Sequence, residues 1–191
     1  MKSTNQICVV VFFVALCLVA ASASAMEIGG VDLPDELTIG EKVLKLNGAG
    51  LRKKMWIKVY AGGLYLPEKN GDATQVIQAD ETMAIRMHFI YDGVSAEKLI
   101  SAWNEGFEKA TGGKTEAIAD SINVFNGYYT AEAKEGHVHE LVYEPGKGVT
   151  VTINGEVKGV IPGLEFKKAL FGIWLCGEPA DEGLKKGMLG G

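Results

Sequence analysis

An α+β fold, with one antiparallel sheet and helices packed on it, is what this sequence predicts. Three observations carry that expectation. Apolar and polar residues alternate in short runs early in the chain, from Lys42 to Leu66 and from Thr82 to Tyr91. A late meander over Val138–Ile161 is punctuated by Pro145-Gly146-Lys147-Gly148 and Asn154-Gly155. Between and after these lie stretches whose apolar residues recur three and four apart, the period of a helix.

Met1–Ala25 reads as a cleaved secretory signal. Lys2 provides the positive start, Ile7–Val19 is a continuous apolar run, and Ala23-Ser24-Ala25 resembles a small-residue cleavage site. An uncleaved anchor is the competing reading, but the run is short for a span and no charge cluster stops it. The protein is therefore expected in the periplasm, with no stable membrane insertion after cleavage. Residues 26–191 suit one domain with its own core. The chain carries a net charge of −5, and the leader contributes only Lys2 to it. That balance, without a basic tract, argues against nucleic acid and against anionic membrane surfaces. Cys8 and Cys17 leave with the leader, so the remaining Cys176 closes no internal disulfide.

Taken in order, Glu27–Ile39 is broken by Gly29-Gly30 and Pro34-Asp35 and suggests an opening hairpin. Lys42–Asn47 reads as a strand entering a glycine-rich bend at Gly48-Ala49-Gly50. Met55–Leu66 is strand again, and Gly62-Gly63 within it marks a bulge or a close approach by another segment. Asp72 suits the cap of a short helix reaching Ala79. Thr82–Tyr91 places Met83, Ile85, Met87, Phe89 and Tyr91 on one face of a half-buried strand. Ser95 is an N-cap candidate for a helix carrying Leu99, Trp103 and Phe107 and ending at Gly112-Gly113. Glu116–Phe125 is a second helix with Ala117, Ile118, Ile122 and Phe125 inward. The meander strands are Val138–Glu144, Val149–Ile153 and Glu156–Ile161. Leu164–Leu175 follows as a helix with Phe166, Leu170, Ile173 and Trp174 on one face, then a last short helix near Leu189.

Arg52, set among apolar strands, needs an anion. It is either a ligand anchor or a structural arginine paired to an internal carboxylate. Tyr60 either offers its hydroxyl to a ligand or is a core tyrosine with a wet tip. Two geometries are open for the pair. A hairpin between them would put Trp56 at its tip, which is poor turn chemistry. On one straight strand they would lie about 26 Å apart at roughly 3.3 Å per residue. His137 and His139 share a strand face, but His88 lies on another strand and no cysteine or carboxylate cluster accompanies them, so a solvated face is expected and no metal. Gly48-x-Gly50 lacks the lysine-serine pair of a phosphate loop. Cys176 has no electropositive neighbour in sequence and is expected to be inert. No cofactor is implied.

The residues Gly48-Ala49-Gly50-Leu51-Arg52 and Lys58-Val59-Tyr60-Ala61-Gly62-Gly63-Leu64-Tyr65-Leu66 resemble the chalcone isomerase-like family. The meander with Asn154-Gly155, then Val160-Ile161-Pro162-Gly163 and the helix over Ala169–Gly177, is similar in order and spacing. The resemblance is nearest to the exported bacterial branch. It implies an open-faced β-sandwich, in which a large antiparallel sheet and a helical layer enclose an apolar cleft. One branch of the family cyclises chalcones, its arginine steering a phenolate and hydroxyl side chains holding the ketone. Another binds fatty acids, holding the carboxylate with arginine and tyrosine. Arg52 matches the shared arginine, and Tyr60 matches the tyrosine of the fatty-acid-binding branch. Ser95 stands where the enzymes have tyrosine, Ala102 where they have asparagine, and Lys168 where a hydroxyl is expected. Loss of those donors argues against cyclisation, because the developing oxyanion would lack its partners.

Three functions follow as expectations. The first is a non-catalytic envelope protein binding a small amphipathic carboxylate such as a fatty acid, with Arg52 and Tyr60 as ligand residues and Ser95 and Lys168 as cleft candidates. The second is an isomerase, or intramolecular lyase, on another enone-like substrate. The third is a structural or partner-binding envelope protein.

Overall fold

A computed structural model describes residues 25–191. The expected leader lies outside the described residues, apart from Ala25, which opens the first strand. β1 (Ala25–Ile28) and β2 (Val31–Pro34) form a small hairpin turned by Gly29-Gly30. β3 (Glu36–Ile39), β4 (Lys42–Lys54), β5 (Ile57–Leu66), β6 (Met83–Phe89), β7 (Val138–Glu144), β8 (Gly148–Ile153) and β9 (Glu156–Ile161) make one antiparallel sheet. Their spatial order is their chain order, so the sheet is a pure meander interrupted by helices. Asn154 and Gly155 both have positive φ, as the two-residue hairpin turn between β8 and β9 demands.

Among the described residues five α-helices accompany the sheet. α1 (Ala73–Gln78) is capped by Asp72, whose carboxylate accepts from the backbone N–H of Thr74 and Gln75. α2 (Ala96–Thr111) starts at Ser95 and ends on Gly112 in the left-handed conformation. A single 3₁₀ turn at Glu116–Ile118 leads into α3 (Ala119–Gly127). There Ile118, Ile122 and Phe125 are buried as expected, whereas Ala117 is exposed. α4 (Leu164–Leu175) and α5 (Glu182–Met188) close the fold.

The helices cover one sheet face, and the opening hairpin covers part of the other. On one, Tyr60, Leu64, Ile85, Phe89 and Leu141 pack beneath the helices. On the other, Ala61, Tyr65 and Ala84 meet Leu33 of the opening hairpin. α4 was expected to bury one face, yet every residue from Phe166 to Leu175 except Lys168 is buried. A helix apolar on all sides belongs inside a layer, and this one is flanked by α1 and α2.

The glycine-rich bend is not a bend. β4 runs unbroken through Gly48-Ala49-Gly50 to Lys54. The glycines are there because α5 lies directly on the strand. A Cβ on Gly48 would come within 2.2 Å of the Gly187 carbonyl oxygen, and one on Gly187 within 2.3 Å of the Ala49 carbonyl oxygen. Gly62 serves the same seam, since a Cβ there would meet Met188 and Leu184. The alternative of a bulge at Gly62-Gly63 is excluded by the unbroken register, with Gly62 opposite Gly50 and Gly63 opposite Ala49. The irregularities in β4–β5 pairing fall at Leu46/Gly48 and Arg52/Lys53 instead.

Candidate functional site

β4 and β5 turn at Met55-Trp56, a corner with Met55 at φ 58°. That tight hairpin sets Arg52 directly opposite Tyr60 in the antiparallel register. Directly opposed residues project to the same side of a sheet, so the two residues converge. The straight-strand geometry is excluded.

Tyr60 is buried, 5 % exposed, on the helical side of the sheet. Its hydroxyl oxygen accepts a hydrogen bond from Trp174 Nε1 at 2.8 Å. Burial pushes its pKa up to about 12, with the Trp174 bond and the Arg52 charge acting in the opposite sense. The hydroxyl thus stays protonated and keeps its own hydrogen to donate. Arg52 sits higher, its side chain 23 % exposed, and donates to the carbonyl of its neighbour Lys53. One guanidinium nitrogen is 3.7 Å from Asp181 Oδ2. At that distance the contact is an ion pair without a hydrogen bond. Asp181 spends its own acceptors elsewhere. Oδ1 takes the Leu184 N–H to cap α5, and Oδ2 takes the Lys53 N–H.

A cleft of about 580 Å³ opens between this hairpin and α2, with Arg52 and Tyr60 both in its wall. Val59, Leu99, Ala102, Trp103 and Ile173 supply apolar surface to it. Its size falls within the range of roughly 300–1,000 Å³ usual for small-molecule sites. A second hollow of about 630 Å³ lies at the opposite end of the sheet, beside α1. Lys42, Asp80 and Glu81 are in its wall, and it contains neither Arg52 nor Tyr60. Volume alone does not rank the two. The first combines apolar walls with Tyr60 and the Arg52 cation, and it is the better binding site on chemistry.

Ser95 and Lys168 do not line that cleft. Ser95 Oγ accepts from the Lys98 N–H as the cap of α2. Lys168 points outward and pairs with Glu165 at 2.7 Å. Its neighbour Lys167 is the buried one, fully enclosed, with Nζ donating to the carbonyls of Val76, Ile77 and Ala79 at 2.8–2.9 Å. Those acceptors are the end of α1, where a cation is favoured.

The histidine expectation needs correction. His139 is 2 % exposed and packs against the rings of Phe89 and Tyr129 at tilted angles, so it is a core residue and not part of a solvated face. Burial, with a smaller contribution from His137, brings its pKa down to about 4. A signal was available, since His139, Leu141 and Tyr143 share strand parity and the latter two are plainly apolar-facing. Among the described residues no group of three or more His, Cys, Asp or Glu is placed to hold a metal. No helix among them is long and apolar enough to cross a membrane.

Two further residues of the site were not singled out for it in the sequence. Trp174 reads as core, and nothing local ties it to Tyr60. Asp181 precedes the last helix at a capping position, but its link to Arg52 spans most of the domain.

A half-barrel meander, roofed by helices and entered beside one arginine–tyrosine pair, defines a recognisable class of α+β protein. The family model described as chalcone isomerase-like matches residues 25–190, and the chain belongs to that family. Among solved structures it is similar to a fatty-acid binding protein of Arabidopsis thaliana, with a TM-score of 0.66 and 19 % identity over 84 % of this chain and 92 % of that one. At that identity the likeness establishes the fold. No curated protein matches.

Proposed function

We propose that this protein is a non-catalytic carrier, exported as its leader implies, that binds an amphipathic carboxylate of fatty-acid type in the cleft beside α2. The observation that carries the reading is the cross-strand placement of Arg52 and Tyr60 in one wall of an apolar cleft. The guanidinium would take the carboxylate, the Tyr60 hydroxyl would donate to it, and the alkyl chain would lie along Val59, Leu99 and Trp103. A hydrogen bond to a charged group contributes about 1.5–3 kcal/mol, and each buried methylene about 0.8 kcal/mol. The fatty-acid-binding neighbour of the same fold lends general support. Cyclisation is disfavoured because Ala102 brings no hydrogen-bonding group to the cleft, Ser95 is engaged in capping and Lys168 faces outward.

The Asp181 contact favours a second reading, in which Arg52 only fastens the hairpin to α5. One experiment separates the two. Organic extract of the purified protein is analysed by mass spectrometry, and displacement of a fluorescent fatty acid is titrated on wild type and Arg52→Ala. Under the carrier reading, fatty acid is recovered and the variant binds about tenfold more weakly, or worse, with its melting temperature nearly unchanged. Empty extracts and no saturable binding would leave Arg52 as a structural residue.

A further inference from the structure

The turn at Met55-Trp56 is built against folding preference in three ways. Met55 occupies the left-handed region at φ 58°, where a long side chain is strained. Met55 and Trp56 are 77 % and 80 % exposed, so neither side chain recovers burial energy. Below them Lys53 and Lys58 are directly opposed across the ladder, a like-charge pair that weakens a hairpin. Lys54 adds a third exposed ammonium. Among the described residues none of these three lysines has a carboxylate within ion-pair distance. The tip is therefore an aromatic and a thioether beside three exposed lysines, none of them in an ion pair.

Lys54 and Met55 also stand in the wall of the cleft, as does Tyr91, itself 43 % exposed. Three carboxylates lie near this rim: Glu105 is bound to Lys109 at 2.6 Å, Asp181 is engaged beneath Lys53, and Glu97 stands in the first turn of α2. The net charge of the chain is −5, and that average conceals the local excess of positive charge.

We propose that the β4–β5 tip docks on an anionic phospholipid surface. Trp56 and Met55 enter the headgroup layer while Lys53, Lys54 and Lys58 meet lipid phosphates, which brings the cleft mouth to the bilayer. Tryptophan favours the interface because its ring is apolar and its N–H is polar, and lysines beside it add attraction to anionic lipid. An acidic protein could meet the cations, yet an exposed Trp-Met corner on a narrow tip presents little area for a stable protein interface. The inference goes beyond the carrier reading and stands whether or not the cleft holds an acid.

The test is sedimentation of the purified chain with vesicles of phosphatidylcholine and phosphatidylglycerol, set against vesicles of phosphatidylcholine alone. Tryptophan emission is read in parallel. Trp103 and Trp174 are buried at 4 % and 0 % exposure, so a blue shift on adding vesicles reports Trp56. Binding should require the anionic lipid and fall steeply with salt. Trp56→Ser should abolish the shift. Lys58→Glu turns the like-charge pair into an opposite-charge pair, so it should keep or raise the melting temperature while weakening binding several-fold or more. The proposal is overturned if anionic vesicles neither sediment the protein nor shift its emission. It is equally overturned if both variants bind as wild type, or if Trp56 responds only to protein concentration, which would mean that a second copy covers the tip.

Discussion

Trp174 hands its indole hydrogen to the Tyr60 hydroxyl oxygen across 2.8 Å, joining the innermost helix to the strand that carries the cleft wall. Tyr60→Phe would leave that indole N–H buried without an acceptor. The expected loss is about 1–3 kcal/mol of stability, a fall in melting temperature of roughly 2–4 °C for each kcal/mol. Fatty-acid affinity should weaken as well, because the donor hydroxyl is gone. A thermal scan and a displacement titration on one preparation check both.

Protonation of His139 should destabilise the fold at mildly acid pH. Its pKa is about 4 in the folded protein against an ordinary 6.5. Between those values the unfolded chain binds the proton more readily, so stability is full above pH 6.5 and is lost as pH falls toward 4. The shift corresponds to on the order of 3 kcal/mol. Urea midpoints measured across that window should fall in wild type. In His139→Phe, which fills the same aromatic slot, that part of the slope should vanish.

Adjacent lysines of α4 should behave oppositely. Lys167→Met strips the carbonyls of Val76, Ile77 and Ala79 of their buried partner and should cost at least about 2 kcal/mol. Lys168→Met breaks only a surface pair with Glu165 and should stay within about 1 kcal/mol of wild type. Equal losses for the two would contradict the assignment.

Gly48→Ala tests the seam between β4 and α5. The added methyl has a carbonyl oxygen 2.2 Å away, and backbone cannot move aside as a side chain would. Overpacking of this kind costs about 1–3 kcal/mol. Increased hydrogen exchange in α5 should accompany it. Gly30→Ala, at a position with open space around it, is not a matched control because its φ is positive. Gly127→Ala in α3, with open space and ordinary φ, is the better comparison.

How far the fold could be read depended on how local its causes were. Asn154-Gly155 and the Ser95 and Asp72 caps are decided within a few residues and stand where expected, while the strand expected over Thr82–Tyr91 runs from Met83 to Phe89 and leaves Tyr91 exposed beyond its end. The reason for Gly48 and Gly50 lies in a helix far downstream, so the sequence suggested a bend ending the strand where the strand in fact continues. The meeting of Arg52 and Tyr60 was not legible because it depends on a two-residue corner that breaks ordinary turn chemistry. His139 and Lys167 were missed for a related reason. Polar character argued for water, while the packing around β7 and α4 encloses both.

The seam also has a temporal side. Asn47 Nδ2 donates to the Met188 carbonyl at 2.8 Å, a contact between residues 141 apart. It cannot form until α5 has been made and has come back onto β4. Until then the glycine backbone of β4 stays bare, and closure over so long a loop is slow. The hairpin that carries Arg52 is local, but the helix that backs it must return across more than a hundred residues.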